Sequence, residues 1–567
     1  MGSVVASGPC DAAEPVLTLP RWLVRGGAAA IVLAYLVLLG AFPLSDPDET
    51  RYAEIPREMI ESGDWVTPRL NYVKYFEKPP LVYWLTALNF TVFGMSDLVA
   101  RWWVAFFGLA GIAVTYGLAR SIYGPTTGYM AAALLAASPF YFGLSQFLTL
   151  DMPLSACIGA GLASFWWAYV RQRRRSGYVP LLYVMVGLAV LIKGPVAVVL
   201  SAATIVCYLI TRNDLGALRW LWSPAGMCLF AAVVLPWFVV VSLRNPEFVH
   251  FFVVDQHFDR YLQPEEHREP LWYYVPILVG GMLPWSAFVL LAPRHAVRFV
   301  RQLVARHVAP GTLFLAVWSV VIFAFFTASG SKVGTYVLPM CSPLAILAAR
   351  FFEQVLSRRE DAVMRRGYVF TLVLATVTLI WGLVTPWVVD DPRLTLVASR
   401  TWICGGVLML AATLSMIFAG RGARLAAAST LWIGVLLMQL VAVSGRAVAS
   451  SYEILGEAIR VQSAPADLIV GYRRYTQGTT FYGRRRTVQV LGHGELEFGR
   501  KLGDQRAFFW SNDEELLRVW ASPQRVFLII DRRELEPLRP QLQPPPRVIA
   551  AEGRKVIVVN FAGNDAS

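Results

Sequence analysis

Two short runs carry residue types that do chemistry rather than packing. Asp-Pro-Asp-Glu-Thr-Arg-Tyr occupies 46–52, and Tyr-Phe-Glu-Lys-Pro-Pro-Leu occupies 75–81. The stretch they bound holds eight acids: Asp46, Asp48, Glu49, Glu54, Glu58, Glu61, Asp64 and Glu77. Arg51, Arg57, Arg69, Lys74 and Lys78 are interleaved with them. Apolar segments flank the stretch, and ionised groups beside a membrane are costly and characteristically functional. If 48–51 is helical, Asp48 and Arg51 share a face, and the cation holds the carboxylate ionised. Such a group takes a proton from a hydroxyl or holds a cationic amine. Asp46, before Pro47, is expected to face away. The bland alternative is a solvated acidic loop that satisfies charge topology. One carboxylate would fit that; eight interleaved with Arg51, Tyr52 and Lys78 fit it poorly.

Four further places hold candidates. Asp151 precedes Met152-Pro153 and reads equally as a helix N-cap and as a site acid. Lys193, in Leu-Ile-Lys-Gly-Pro, is either a snorkelling lysine or an anion contact, and its side of the membrane favours the second. Between His250 and Trp272 lie His250, Asp255, His257, Asp259, Arg260 and His267. Imidazole and carboxylate suit zinc or a similar divalent ion, and Glu77 with Asp255 or His257 would be donors. A plain interfacial segment explains the same residues. In Ser-Gly-Ser-Lys-Val-Gly-Thr-Tyr-Val-Leu-Pro, 329–339, Lys332 and Tyr336 suit a phosphate; a flexible turn is the alternative.

The elements that must position these residues follow from composition. Of 567 residues, 56% are hydrophobic and 16% charged, which marks a polytopic membrane protein. The net charge of +13 is then read through loop topology, not as a nucleic-acid signal. The six cysteines are scattered, without a CxxC pair, so neither a disulfide framework nor a thiolate metal site is expected. Arg21 and Arg25 precede an apolar run, 26–44, long enough to span. Further spans are expected near 98–119, 127–147, 152–170, 179–192, 195–211, 221–242, 272–292, 311–328, 334–352, 368–389, 402–419 and 426–445, about thirteen in all. Arg171–Arg175, 293–310 and Arg350–Arg366 then share the cytoplasmic face, while 45–97, Asp151 and 243–271 lie outside with the acids. Within 45–97, Tyr52–Gly63 has the spacing of an amphipathic helix lying on the membrane surface.

After 445 the composition changes. Short β-like runs at 467–472, 487–491, 525–530 and 555–561 alternate with helix-like pieces such as 513–520. The expected architecture is a transmembrane domain over 1–445, with loop helices in 45–97 and 243–271. A small α/β domain follows over 446–567 on the outer side.

The motifs at 46–59, 76–81, 150–153, 193–195, 257–261 and 331–339 together resemble the polyprenol-phosphate-dependent GT-C glycosyltransferases. The likeness is nearest to bacterial 4-amino-4-deoxy-L-arabinose transferases acting on lipid A, and more distant to protein O-mannosyltransferases. It implies an inner-membrane enzyme with its N-terminus cytoplasmic and its C-terminal domain periplasmic. Its donor would be a sugar on polyprenyl phosphate, and its acceptor lipid A or another envelope molecule. Asp48 would be the catalytic acid and Asp151 a second one. Lys78, Arg260, Tyr336 and Lys193 would hold the carrier phosphate, with Arg51, Tyr52, Tyr75 and Lys332 nearby. Glu77 with Asp255 or His257 would hold a metal. The family commonly has proline where Gly334 stands. The competing class is a transporter of lipid-linked sugars, which would place charges at mid-membrane on broken helices in two related halves. Charge clustered at one face, without a repeat, favours the enzyme.

Overall fold

The computed structural model describes residues 17–171, 177–259, 268–304, 308–388, 392–445 and 451–561. The chain is a multi-pass helical membrane protein with a C-terminal α/β domain. Eight helices among the described residues are long and apolar enough to cross a membrane. The membrane part runs α1 (Arg21–Leu36), α2 (Asp48–Ser62), α3 (Leu81–Phe93), α4 (Asp97–Tyr123), α5 (Pro125–Ala136), α6 (Pro139–Ser145) and α7 (Asp151–Val170). It continues with α8 (Tyr178–Lys193), α9 (Val196–Thr211), α10 (Pro224–Arg244), α11 (Pro293–Val304), α12 (Pro310–Ala328), α13 (Cys341–Ser357), α14 (Asp361–Val388), α15 (Pro392–Gly420) and α16 (Arg424–Ser444).

Several expected spans are shorter or divided, each for a local reason. The run 127–147 breaks between α5 and α6, where Pro139 cannot donate to the preceding turn. The run 272–292 breaks at 282–284, before Pro284. Helix α3 lies inside the stretch read as an outer loop; it is apolar, but its 13 residues are too few to read as a span.

Helix α2 differs most from its expected role. It does not lie along the surface with one face in lipid. Glu49, Thr50, Ala53, Glu54, Ile55, Arg57, Glu58 and Met59 are all buried. One side meets α3, where Tyr52 stacks on Tyr83 at 6.2 Å. The other meets α17 (Gln477–Gly483) of the C-terminal domain. Several of its charges are paired inside the protein: Arg57 makes paired 2.7 Å hydrogen bonds to Glu54, and one Glu58 oxygen accepts from the backbone N–H of Tyr72 at 2.8 Å while the other is buried without a partner. Gly63, at φ 69°, ends the helix where the sequence placed its end.

The C-terminal domain is built on a six-stranded sheet. Its strands are β3 (Leu468–Tyr472), β4 (Val488–Val490), β5 (Phe509–Trp510), β6 (Val526–Asp531), β7 (Arg547–Glu552) and β8 (Lys555–Val559). The order is β5-β4-β3-β6-β8-β7; β1 (Arg69–Leu70) and β2 (Val73–Lys74) form a separate antiparallel pair after α2. The central strands are parallel, and β8 joins antiparallel. Val470, Leu528, Val558 and Trp520 fill one side of the sheet.

Polar contacts dock this sheet on the membrane part, among them the following. Asp46 accepts from Gly478 N at 2.6 Å, and the Tyr482 hydroxyl donates to Asp97 at 2.8 Å. Asn71 exchanges hydrogen bonds with the Thr487 backbone at 2.8 and 3.0 Å. Asp46 therefore does not face away but ties the first loop to the sheet domain. Across this joint a Cβ at position 478 would stand 3.3 Å from Asp46 Oδ1.

Candidate active site

Three helix ends and one loop of the sheet domain converge beside α2. The chain leaves α1, turns through 37–47 and starts α2 at Asp48, whose side chain is 55% exposed. That exposure separates Asp48 from Glu49, Glu54 and Glu58, which are sealed in the protein. Arg51 Nη1 stands 3.4 Å from Asp48, one turn on, and Nε stands 2.5 Å from Glu495 of the sheet domain. The Nε–H is not aimed at that carboxylate and makes no hydrogen bond. One guanidinium thus faces two carboxylates from separate domains.

The Tyr52 hydroxyl lies within electrostatic reach of Asp48, Asp151 and Glu77, which joins the three acids in one site. Tyr75 and Tyr83 are buried and sense Glu77, Glu495 and Arg51. Removal from water raises the pKa of all three phenols, so they remain neutral donors. Burial also pushes the Glu495 carboxyl up to about 7, opposed by Arg51 and raised further by Glu77.

Asp151 opens α7 and Lys193 closes α8, and the two side chains form a hydrogen-bonded ion pair. Lys193 Nζ also sits 4.4 Å from the ring centroid of Tyr336. No side-chain cap bond is made by the residue before α7. Lys332 is buried and donates to Ser329 O at 2.8 Å. Residues 334–340 form a 3-10 turn; at Gly334 a Cβ would lie 3.3 Å from Ile277, so a small residue suits this place. Lys78 donates to the Glu77 carbonyl at 3.0 Å, on the turn that starts α3. The structure therefore brings together Asp48, Arg51, Tyr52, Tyr75, Glu77 and Asp151, with Lys193 and Tyr336 attached through Asp151.

Part of the expected metal and phosphate sets lies outside what the structure describes: Arg260 is outside the described residues, and the side chain of His257 is not described. Asp255 is paired with His250 at 3.4 Å. Among the described residues no three His, Cys, Asp or Glu side chains converge as a metal site.

Sequence reasoning missed Tyr83, Gln477 and Glu495. Gln477 donates to Glu495 through its amide nitrogen, while its amide oxygen is buried without a partner. The Tyr83 hydroxyl and Arg51 Nε are likewise buried and unpartnered. Buried polar atoms without partners are costly, and several around one space mark a site built for a polar ligand. Tyr83 had a signal in its spacing behind Glu77 on α3. Gln477 and Glu495 had none, because their role depends on how a distant domain docks.

Residues 25–252 match the family described as dolichyl-phosphate-mannose-protein mannosyltransferase, and 455–560 match the aminoarabinose transferase C-terminal domain. A relative from Enterobacter sp. (strain 638), an undecaprenyl phosphate-alpha-4-amino-4-deoxy-L-arabinose arabinosyl transferase, is 32% identical over 365 residues. That alignment spans 63% of this chain and 64% of the relative. The corresponding protein of Shewanella sediminis is 26% identical over 93% of this chain and 96% of its own length. The crystal structure of ArnT from Cupriavidus metallidurans bound to undecaprenyl phosphate superposes with a TM-score of 0.84 at 28% identity, covering 95% of this chain and 98% of that one. The apo form of the same protein gives 0.82 at 27%. Its membrane part and its sheet domain are thus each similar to the corresponding parts of aminoarabinose transferases.

Proposed function

We propose that the chain moves 4-amino-4-deoxy-L-arabinose from undecaprenyl phosphate to a phosphate of lipid A, at the periplasmic face of the bacterial inner membrane. The observation that carries this reading is the joint site. Asp48, Arg51, Tyr52, Glu77 and Asp151 of the membrane part meet Glu495 of the sheet domain around buried, unpartnered polar atoms. An amphiphilic donor with a polar, cationic sugar fits that chemistry. The likeness to a structure that holds undecaprenyl phosphate supports the same carrier class.

In the reaction, the anomeric C–O bond to the carrier phosphate breaks and its electron pair goes to that phosphate. Lys78 and Arg260 stabilise the leaving anion, since charge-assisted contacts are strong where water is scarce. The acceptor oxygen attacks from the opposite face and inverts the anomeric carbon. A lipid A phosphate is already anionic and gives up no proton at neutral pH; Asp48 then orients the donor sugar through its amine. Neutral Tyr52, Tyr75 and Tyr83 donate to sugar oxygens. Incubating purified protein with the aminoarabinose carrier and lipid A, then weighing lipid A by mass spectrometry, tests this. Lipid A unmodified by active, folded protein would reject the acceptor.

Lys78→Ala is expected to weaken donor binding by about tenfold to a hundredfold, the loss of one hydrogen bond to a charged group. Unchanged saturation kinetics would remove Lys78 from the phosphate pocket. The topology proposed here puts Arg171 in the cytoplasm and residues 451–561 outside, and a cytoplasm-active reporter fused at residue 500 that reports activity would overturn it.

Glu495 is proposed to hold the sugar amine. Its carboxyl ionises near pH 7, so the fraction available to a cation rises between about pH 6 and 8. The donor KM of the wild type is expected to fall over that interval. In Glu495→Gln it should be about tenfold higher and flat with pH. A variant that keeps the wild-type KM and pH profile would refute the assignment.

A further inference from the structure

The bundle end opposite Asp48 carries an apolar cleft of about 450 Å³. That volume lies in the range of small-molecule sites, about 300–1,000 Å³. Helix α1 forms one wall through Leu23, Gly27 and Ile31, and Phe352, Tyr368 and Trp432 stand across it. No charged residue lines it. At Gly27 a Cβ would meet nothing within 4 Å, so the helix presents bare backbone to open space.

The cleft does not end blindly. Leu356 and Leu425 are shared with a second hollow of about 480 Å³, rimmed by Arg359 and Arg424. Asp361 is occupied by Arg424 through bonds of 2.5 and 2.7 Å. Arg359 is exposed, and among the described residues it has no ion-pair partner within 4.0 Å. Its neighbour Glu360 is instead paired with His295 of α11 at 3.2 Å. Helix α11 carries Arg294, Arg298 and Arg301 on one face and exposed Val297 and Val300 on the other. A helix of this kind lies in the membrane interface among headgroups. An apolar slot thus opens beneath Arg359, which shares the field of Asp361 with Arg424 but among the described residues holds no ion pair of its own.

We propose that this cleft binds one acyl chain of an anionic phospholipid, with the headgroup phosphate on Arg359. The lining is mainly carbon, with only a few hydroxyl and indole groups such as those of Tyr116, Tyr129 and Ser429, so each buried methylene favours a chain. Arg359 and Arg424 at the mouth outnumber the one carboxylate of Asp361 between them, and the exposed Arg359 selects a negative headgroup. The site is separate from the donor site, which lies at the other end of the helices.

Native mass spectrometry tests this on full-length protein taken from bilayers of equal phosphatidylglycerol and phosphatidylcholine. Wild-type protein should retain one phospholipid, enriched about fivefold in phosphatidylglycerol. Gly27→Leu fills the slot and should lower retention of either lipid on the order of tenfold; Ala428→Leu, on the facing wall, should do the same if Gly27→Leu does not fold. Arg359→Gly should keep the lipid and abolish the preference; glycine suits the φ of 56° at this position, so the fold is not at risk. Three results would overturn the proposal: no retained phospholipid, polyprenyl phosphate retained in its place, or retention and preference unchanged in the variants.

Discussion

Asp48→Asn is expected to lower sugar transfer by about 10²-fold, the cost of a donor sugar no longer oriented for attack. Donor binding should change little, because the phosphate contacts proposed for the carrier are those of Lys78 and Arg260. Asparagine keeps the shape and removes the charge. Asp48 is the exposed acid of the first turn of α2, 3.4 Å from Arg51 and within the field of Tyr52. Arg51 is shared with Glu495, so losing the charge at 48 also lets the guanidinium swing to its other partner. Asp46→Asn is the control. Asp46 accepts from Gly478 N and from the Thr50 hydroxyl, and an asparagine oxygen can accept both. Burial pushes the Asp46 carboxyl up to about 6, so the neutral form is already favoured more than in water. That variant should transfer sugar within about threefold of wild type. Turnover and carrier binding measured on both purified variants decide the matter. Wild-type transfer by Asp48→Asn, or a larger loss in Asp46→Asn, would move the catalytic role elsewhere.

The contrast between those two aspartates shows what could be read from the chain alone. Charge density beside apolar runs located the site to 46–81, because charge next to a membrane needs a reason. It did not sort the acids. Glu49, Glu54 and Glu58 look like Asp48 in sequence, yet they are buried structural partners of Arg101, Arg57 and Tyr72. Amphipathic spacing identified α2 as a helix but not its surroundings, since a second protein face can replace a lipid face on the same pattern. In the sheet domain, runs of β-branched residues marked β3, β4, β6 and β8, while two-residue β5 and the more polar β7 carried too weak a pattern. Glu495 and Gln477 lie more than 400 residues from Arg51 and Asp46. No local pattern encodes a contact that exists only after docking.

Arg101→Met is expected to destabilise the protein by about 3–5 kcal/mol, the cost of leaving a buried charge without its partner. Glu49 is fully buried and Arg101 is 3% exposed. The guanidinium donates to both Glu49 oxygens at 2.7 Å. It also donates to the Leu39, Phe42 and Pro43 carbonyls at 3.1, 2.6 and 2.9 Å. Glu49 accepts in addition from Ser45 N at 3.0 Å and Leu148 N at 2.8 Å. One ion pair therefore closes the loop between α1 and α2 and fastens it to the segment before Asp151. Methionine fills the space but leaves a carboxylate and three carbonyls unanswered. Arg101→Lys keeps the charge but cannot make the two-pronged contact, so it should lie between wild type and Arg101→Met. The double change Arg101→Met with Glu49→Met removes both charges and should recover part of the loss, because the uncompensated carboxylate is then gone. Thermal unfolding followed by tryptophan fluorescence in nanodiscs measures the series. The same loop carries Asp48, so activity should fall with stability in Arg101→Met and recover only partly in the double variant. A wild-type unfolding midpoint for Arg101→Met, or a double variant weaker than both single ones, would show that the pair does not anchor the loop.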